Sequence, residues 1–84
     1  MAWAPAGRLA VVTREGCHLC VVALETVRRV AAEHDLDVEV VDVDRDPELL
    51  ARYSEEVPVT FVDGAQHDYW RVDETRLRAA LERS

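Results

Sequence analysis

Apolar positions change their spacing repeatedly along this chain, and each change marks an element. Leu9-Ala10-Val11-Val12 is a continuous apolar run, the pattern of a strand covered on both faces. Thr13 to Gly16 breaks it. From His18 to about His34 the spacing turns helical, with Cys20, Leu24, Val27 and Ala31 recurring at steps of four, three and four on one face. Val38, Val40, Val41 and Val43 then mark a second, β-branched strand. Strand, helix, strand predicts a βαβ unit with parallel strands and a right-handed crossover.

Asp46-Pro47-Glu48 reads as a helix start. Asp46 can cap, Pro47 fits the first helical position, and Glu48 lies at the positive end of the dipole. That helix carries Leu49 and Leu50 and is expected to end near Ser54. A third strand is predicted over Val57 to Val62, entered through Pro58. Asp63-Gly64 signals a tight turn, and Gln66 to Trp70 should return as an antiparallel fourth strand. Asp73 can cap a last helix whose apolar face is Leu77, Ala80 and Leu81. The order β-α-β-α-β-β-α describes one α/β domain over residues 1–84: a four-stranded mixed sheet flanked by three helices. Residues 1–7, with Trp3 and Pro5, are expected to form a frayed tail.

Composition narrows the function classes. The chain has 84 residues, 49% of them hydrophobic, and few aromatics, so its core must be built mainly from Val, Leu and Ala. A net charge of −7 argues against binding to nucleic acid, which needs a basic patch, and against docking on anionic lipid. No apolar run approaches the roughly 20 residues of a membrane helix, and Met1 to Gly7 lacks the pattern of a secretory signal. A cytoplasmic protein is expected, in which a close cysteine pair serves catalysis or metal binding rather than a structural disulfide. All ten basic residues are Arg, and Lys, Asn and Ile are absent, which reads as the codon bias of a GC-rich genome.

Cys17-His18-Leu19-Cys20 stands between the first strand and the first helix. Backbone N–H groups at a helix start favour a thiolate, so the first cysteine is expected to be the activated one. Arg14 would add a positive field, which Glu15 and Glu56 would oppose. Cys20 heads the apolar stripe and should face inward. An exposed attacking thiol beside a shielded resolving thiol is what a dithiol exchange needs. His18 has two readings: a base or charge partner for Cys17, or a solvated first-turn residue.

Other uses of the pair depend on the remaining ligands. A four-ligand zinc site needs two more Cys or His, and His34 and His67, both expected at the surface, do not converge easily on Cys17. A cluster shared between two chains stays open. The acidic run Asp42, Asp44, Asp46, Glu48 lacks the spacing and glycine of a calcium loop. Alternation sends Tyr69 and Trp70 to opposite faces, with one of them expected in the core.

Thr13 to Cys20, the Val57-Pro58 step and the Asp63-Gly64 hairpin together resemble a glutaredoxin, and more narrowly the short glutaredoxin-like proteins of bacteria. The likeness runs from Arg8 onward. It implies a thioredoxin-like fold with Cys17 as nucleophile, Cys20 as resolving cysteine and Arg14 as the basic residue ahead of the motif. It also implies a cis Val57–Pro58 bond beside the cysteines, where the Val57 backbone can pair with a substrate strand. Asp73 matches the acidic residue that caps the last helix. Two departures stand out. His18-Leu19 replaces the usual Pro-Tyr, and Trp70-Arg71 occupies the place of a Gly-Gly step whose amides hold the γ-glutamyl end of glutathione.

The resulting expectation is a thiol–disulfide oxidoreductase acting through Cys17 and Cys20, with Arg14, His18, Val57, Pro58 and Asp73 around the substrate. Substrates would be disulfide-containing proteins or mixed disulfides with small thiols. No metal and no tightly bound cofactor is expected. Glutathione or another low-molecular-weight thiol is a possible co-substrate, a small thiol or a flavoprotein reductase would recycle the pair, and the protein would be a monomer. Two alternatives remain: an iron–sulfur carrier with a cluster bridging two chains, and a non-catalytic binding module that kept the fold.

Overall fold

The computed structural model describes residues 4–82, so Trp3 lies outside the described residues. Strand β1 (Leu9–Thr13) is followed by α1 (His18–Glu33), β2 (Val38–Asp42), a single 3-10 turn at Val43–Arg45, and α2 (Pro47–Tyr53). Strands β3 (Val59–Val62) and β4 (Ala65–Tyr69) form a hairpin, and α3 (Glu74–Glu82) closes the order. The sheet runs β2-β1-β3-β4, with β1 and β2 parallel and the other pairs antiparallel.

β1 is central because both its faces are apolar. Leu9 and Val11 pack with Val27, Val30 and Ala31 of α1, Val62, and Leu77 and Leu81 of α3. Ala10 and Val12 point the other way, against Val43, Leu49, Tyr53, Val59 and Phe61. Helices α1 and α3 therefore cover one face and α2 the other, as a run of alternating faces in a doubly covered strand requires. Among the described residues no helix is long and apolar enough to cross a membrane.

Local chemistry sets the boundaries. The Asp46 carboxylate accepts the Glu48 N–H at 2.8 Å and Pro47 opens α2. Asp73 accepts the Arg76 N–H at 3.1 Å, capping α3. At the hairpin, Asp63 and Gly64 both have positive φ, 51° and 85°, the backbone of a two-residue turn that matches the strand twist.

Several boundaries differ from the sequence expectation. β2 stops at Asp42, whose side chain accepts the Asp44 N–H at 2.9 Å and draws the chain into the 3-10 turn that buries Val43. β3 starts at Val59, because Pro58 has no N–H and the Val57 N–H bonds back to Tyr53 at 3.1 Å. β4 spans 65–69, with Trp70 turned out of it at φ 64°. On α1 the buried set is Cys20, Ala23, Val27, Val30 and Ala31, and Leu24 is only half-buried. Leu49 and Tyr53, one turn apart, bury α2, and Leu50 is exposed. The Ala6 N–H donates to Glu39 at 2.9 Å, tying the leading segment to β2.

Helix α3 is held to α1 by Leu77 and Leu81 and by an exposed ion network joining Arg29 to Glu74 and Arg78 to Glu33 and Glu74. Screened surface pairs contribute little, so the leucines dominate. Leu77→Ala should cost about 2–5 kcal/mol in urea unfolding. A loss below about 1 kcal/mol would contradict the fully buried packing of Leu77.

Candidate active site

The sheet register brings the site together. Val12 of β1 pairs with Val59 of β3, so the Arg14–Cys17 loop leaving β1 and the Val57–Pro58 step entering β3 lie at the same end of two adjacent strands. The Val57–Pro58 bond is cis and Pro58 is fully buried. Gly16, at φ 78°, makes the turn into α1 with a backbone that a side chain would disfavour.

Cys17 is the N-cap of α1. Its Sγ accepts the Cys20 N–H at 3.2 Å, and its own N–H bonds the Arg14 carbonyl at 3.2 Å. A sulfur in this position meets an unpaired helix-start N–H, which a thiolate accepts more strongly than a thiol does. Cys17 is partly exposed, whereas Cys20 is 2% exposed, facing the core as the apolar stripe predicts. Burial pushes the Cys20 thiol up to about 11, with a further contribution from its hydrogen-bonded contact with Cys17. The two thiols thus sit in different environments within one helical turn.

Arg14 is close but engaged. Its guanidinium donates to the Ser54 carbonyl at 3.3 Å and pairs with Asp44 at 3.4 Å, tying the β1 exit to the end of α2. It acts electrostatically on Cys20, favouring that thiolate against the effect of burial. His18 is exposed and lies on the rim with Leu19. Asp73 is used as the α3 cap. Val57 offers only part of the pairing edge expected of it, since its N–H is held by Tyr53 while its carbonyl accepts no bond among the described residues.

An open groove of about 570 Å³ runs between the first turn of α1 and the cis-proline turn, lined by Leu19, Glu55, Val57, Tyr69, Trp70 and Arg71. Neither aromatic enters the core: Tyr69 is 50% and Trp70 51% exposed. Alternation fails here because Trp70 has left the strand. Leu19, 42% exposed, is the groove residue that sequence reasoning passed over. Its signal was present, because a residue beside Cys20 on a helix cannot share the buried stripe.

His34 and His67, expected at the surface, are both half-buried. His34 lies at the end of α1 with Nδ1 3.1 Å from the Val30 carbonyl, and His67 lies on β4. Among the described residues no three His, Cys, Asp or Glu side chains form a group able to hold a metal ion.

The fold and the placed cysteine pair define a thioredoxin-fold protein. Residues 8–82 match the model of the Glutaredoxin-like domain (DUF836), and the chain belongs to that family. It is 39% identical over 79 residues to uncharacterized proteins of Mycobacterium tuberculosis and Mycobacterium bovis, covering 88% of this chain and 81% of theirs. A structural genomics target protein from X. campestris superposes with a TM-score of 0.74 at 32% identity, over 90% of this chain and 97% of that one. Fasciola hepatica thioredoxin gives 0.56 at 33% identity, over 92% and 81%. Family and fold together support a redox-type function.

The asymmetry of the thiols is directly measurable. In Cys17→Ser, where the burial of Cys20 remains, iodoacetamide should alkylate Cys20 far more slowly than free cysteine at pH 7, with the rate climbing only above the ordinary thiol range. Alkylation at pH 7 as fast as free cysteine would contradict the shielded position.

Proposed function

We propose that this protein is a glutaredoxin-like thiol–disulfide oxidoreductase, working in the cytoplasm, with Cys17 as nucleophile and Cys20 as resolving thiol. The observation that carries the proposal is the helix cap itself: the half-exposed Cys17 sulfur accepts an α1 N–H while Cys20 lies buried one turn away.

The chemistry follows from that geometry. The Cys17 thiolate attacks one sulfur of a substrate disulfide, forming a mixed disulfide and releasing the other substrate sulfur as a thiolate. That leaving thiolate, or solvent, takes the proton of Cys20. The Cys20 sulfur then attacks Cys17, breaking the mixed disulfide, forming the Cys17–Cys20 disulfide and releasing the second substrate thiol. Two electrons pass to the substrate with the Cys20 proton, and solvent supplies the second proton. A low-molecular-weight thiol or a flavoprotein reductase returns them to the protein. The high Cys20 value serves the first step, since a Cys20 that stays protonated leaves Cys17 as the attacking thiolate. No metal or tightly bound cofactor takes part. Val57 and Pro58 flank the incoming chain, Arg14 fixes the loop that carries Cys17, His18 borders the entrance, and Asp73 fixes the start of α3.

Single substitutions separate the two cysteines. Cys17→Ser should lower disulfide reductase turnover by at least about 10³-fold, whereas Cys20→Ser should accumulate a mixed disulfide on Cys17, visible by mass spectrometry. Equal loss in both variants with no trapped adduct would overturn the assignment.

A further inference from the structure

The groove between the first turn of α1 and the cis-proline turn has an unusual wall. Trp70 sits at φ 64°, a region that bulky residues rarely occupy and that marks positions held for a reason other than local preference. Its N–H bonds the Pro58 carbonyl at 2.8 Å and its indole N–H bonds the Glu55 carbonyl at 3.0 Å. The Tyr69 ring packs edge-on against it, centroids 5.0 Å apart. These contacts fix the indole, half of it open to solvent, across from Leu19 and Val57.

Four backbone donors at the groove and the α3 entry are already engaged. The Val57 N–H is held by Tyr53, the Trp70 N–H by Pro58, the Arg71 N–H by Tyr69, and the Asp73 N–H by the Asp68 carboxylate. The Asp73 carboxylate in turn accepts from Arg76. A small polar peptide that relies on these amides finds none of them open. Charge points the same way. Glu15 and Arg14 line the pocket that holds Cys17, and Glu55 and Arg71 line the groove, on a chain of net charge −7. The net charge of −7 disfavours the approach of an anionic tripeptide thiol and favours that of a basic polypeptide.

We propose that Trp70 is a specificity-determining residue, and that the groove takes a polypeptide disulfide with a large apolar side chain beside its cysteine and basic residues nearby, in preference to small anionic thiols. This deepens the oxidoreductase reading above and rests on it. Recognition comes from burying the substrate's side chain against Trp70, Tyr69 and Leu19, while the Val57 carbonyl accepts one N–H from its backbone.

The test compares three mixed disulfides of a coloured aromatic thiol. One carries a blocked tripeptide Phe-Cys-Arg, one Gly-Cys-Arg, and one glutathione. The wild-type protein should favour the Phe peptide over each of the others by about tenfold or more in kcat/KM. In Trp70→Gly, which adopts the same backbone without strain, the Phe-to-Gly ratio should fall below about threefold. Val40→Ser, on the distant edge strand, should leave the ratio as it is and controls for loss of exposed apolar surface. Turnover with no Phe preference, glutathione as the best of the three, or an unchanged ratio in Trp70→Gly would overturn this proposal alone. Failure to turn over any of the three would overturn the oxidoreductase reading with it.

Discussion

One hydrogen bond organises the chemistry of this molecule: the Cys20 N–H donating to the Cys17 sulfur at the first turn of α1. It makes the capping atom of a sixteen-residue helix the same atom that we propose meets substrate. Helix starts need an acceptor, and oxygen from Ser, Thr, Asp or Asn is the common choice. With sulfur there, the helix and the nucleophile stabilise one another. Everything upstream serves that placement. β1 is buried on both faces, Gly16 makes the turn, and Arg14 is tied to Ser54 and Asp44 so that the loop holds its course.

Much of this was legible from residues alone, because the signals are local or periodic. The helical stripe through Cys20 fixed which thiol faces the core. Asp46-Pro47 and Asp63-Gly64 carried their cap and turn in their own side chains. The misread positions share a cause. At Asp42 a side-chain oxygen captured a backbone N–H and ended a strand that valine spacing would have continued. At Trp70 a positive φ broke the alternation on which a core placement relied. On α1 the buried set takes in Ala23 and Val30 while Leu24 stays at the edge of the core, a rotation that steps of three and four cannot distinguish.

The glutaredoxin resemblance and the structure part company in the groove. Family membership covers residues 8–82, yet the segment leading into α3 presents an indole and an arginine in place of two glycines, with its amides turned inward. A redox fold can keep its sulfur chemistry while exchanging the surface that selects a substrate, since the two rest on different elements. Here the sulfurs belong to the start of α1 and the proposed selecting wall to the β4–α3 connection. Leu19 and Val57 are where they meet.

The most direct measurement of the central claim follows reduced wild-type protein after mixing with an aromatic disulfide whose released thiolate is coloured. The account predicts one rapid release as Cys17 is modified, then a second equal release as Cys20 displaces the label and the Cys17–Cys20 disulfide closes. A single release that leaves a stable adduct on Cys17, or a first adduct on Cys20, would contradict it.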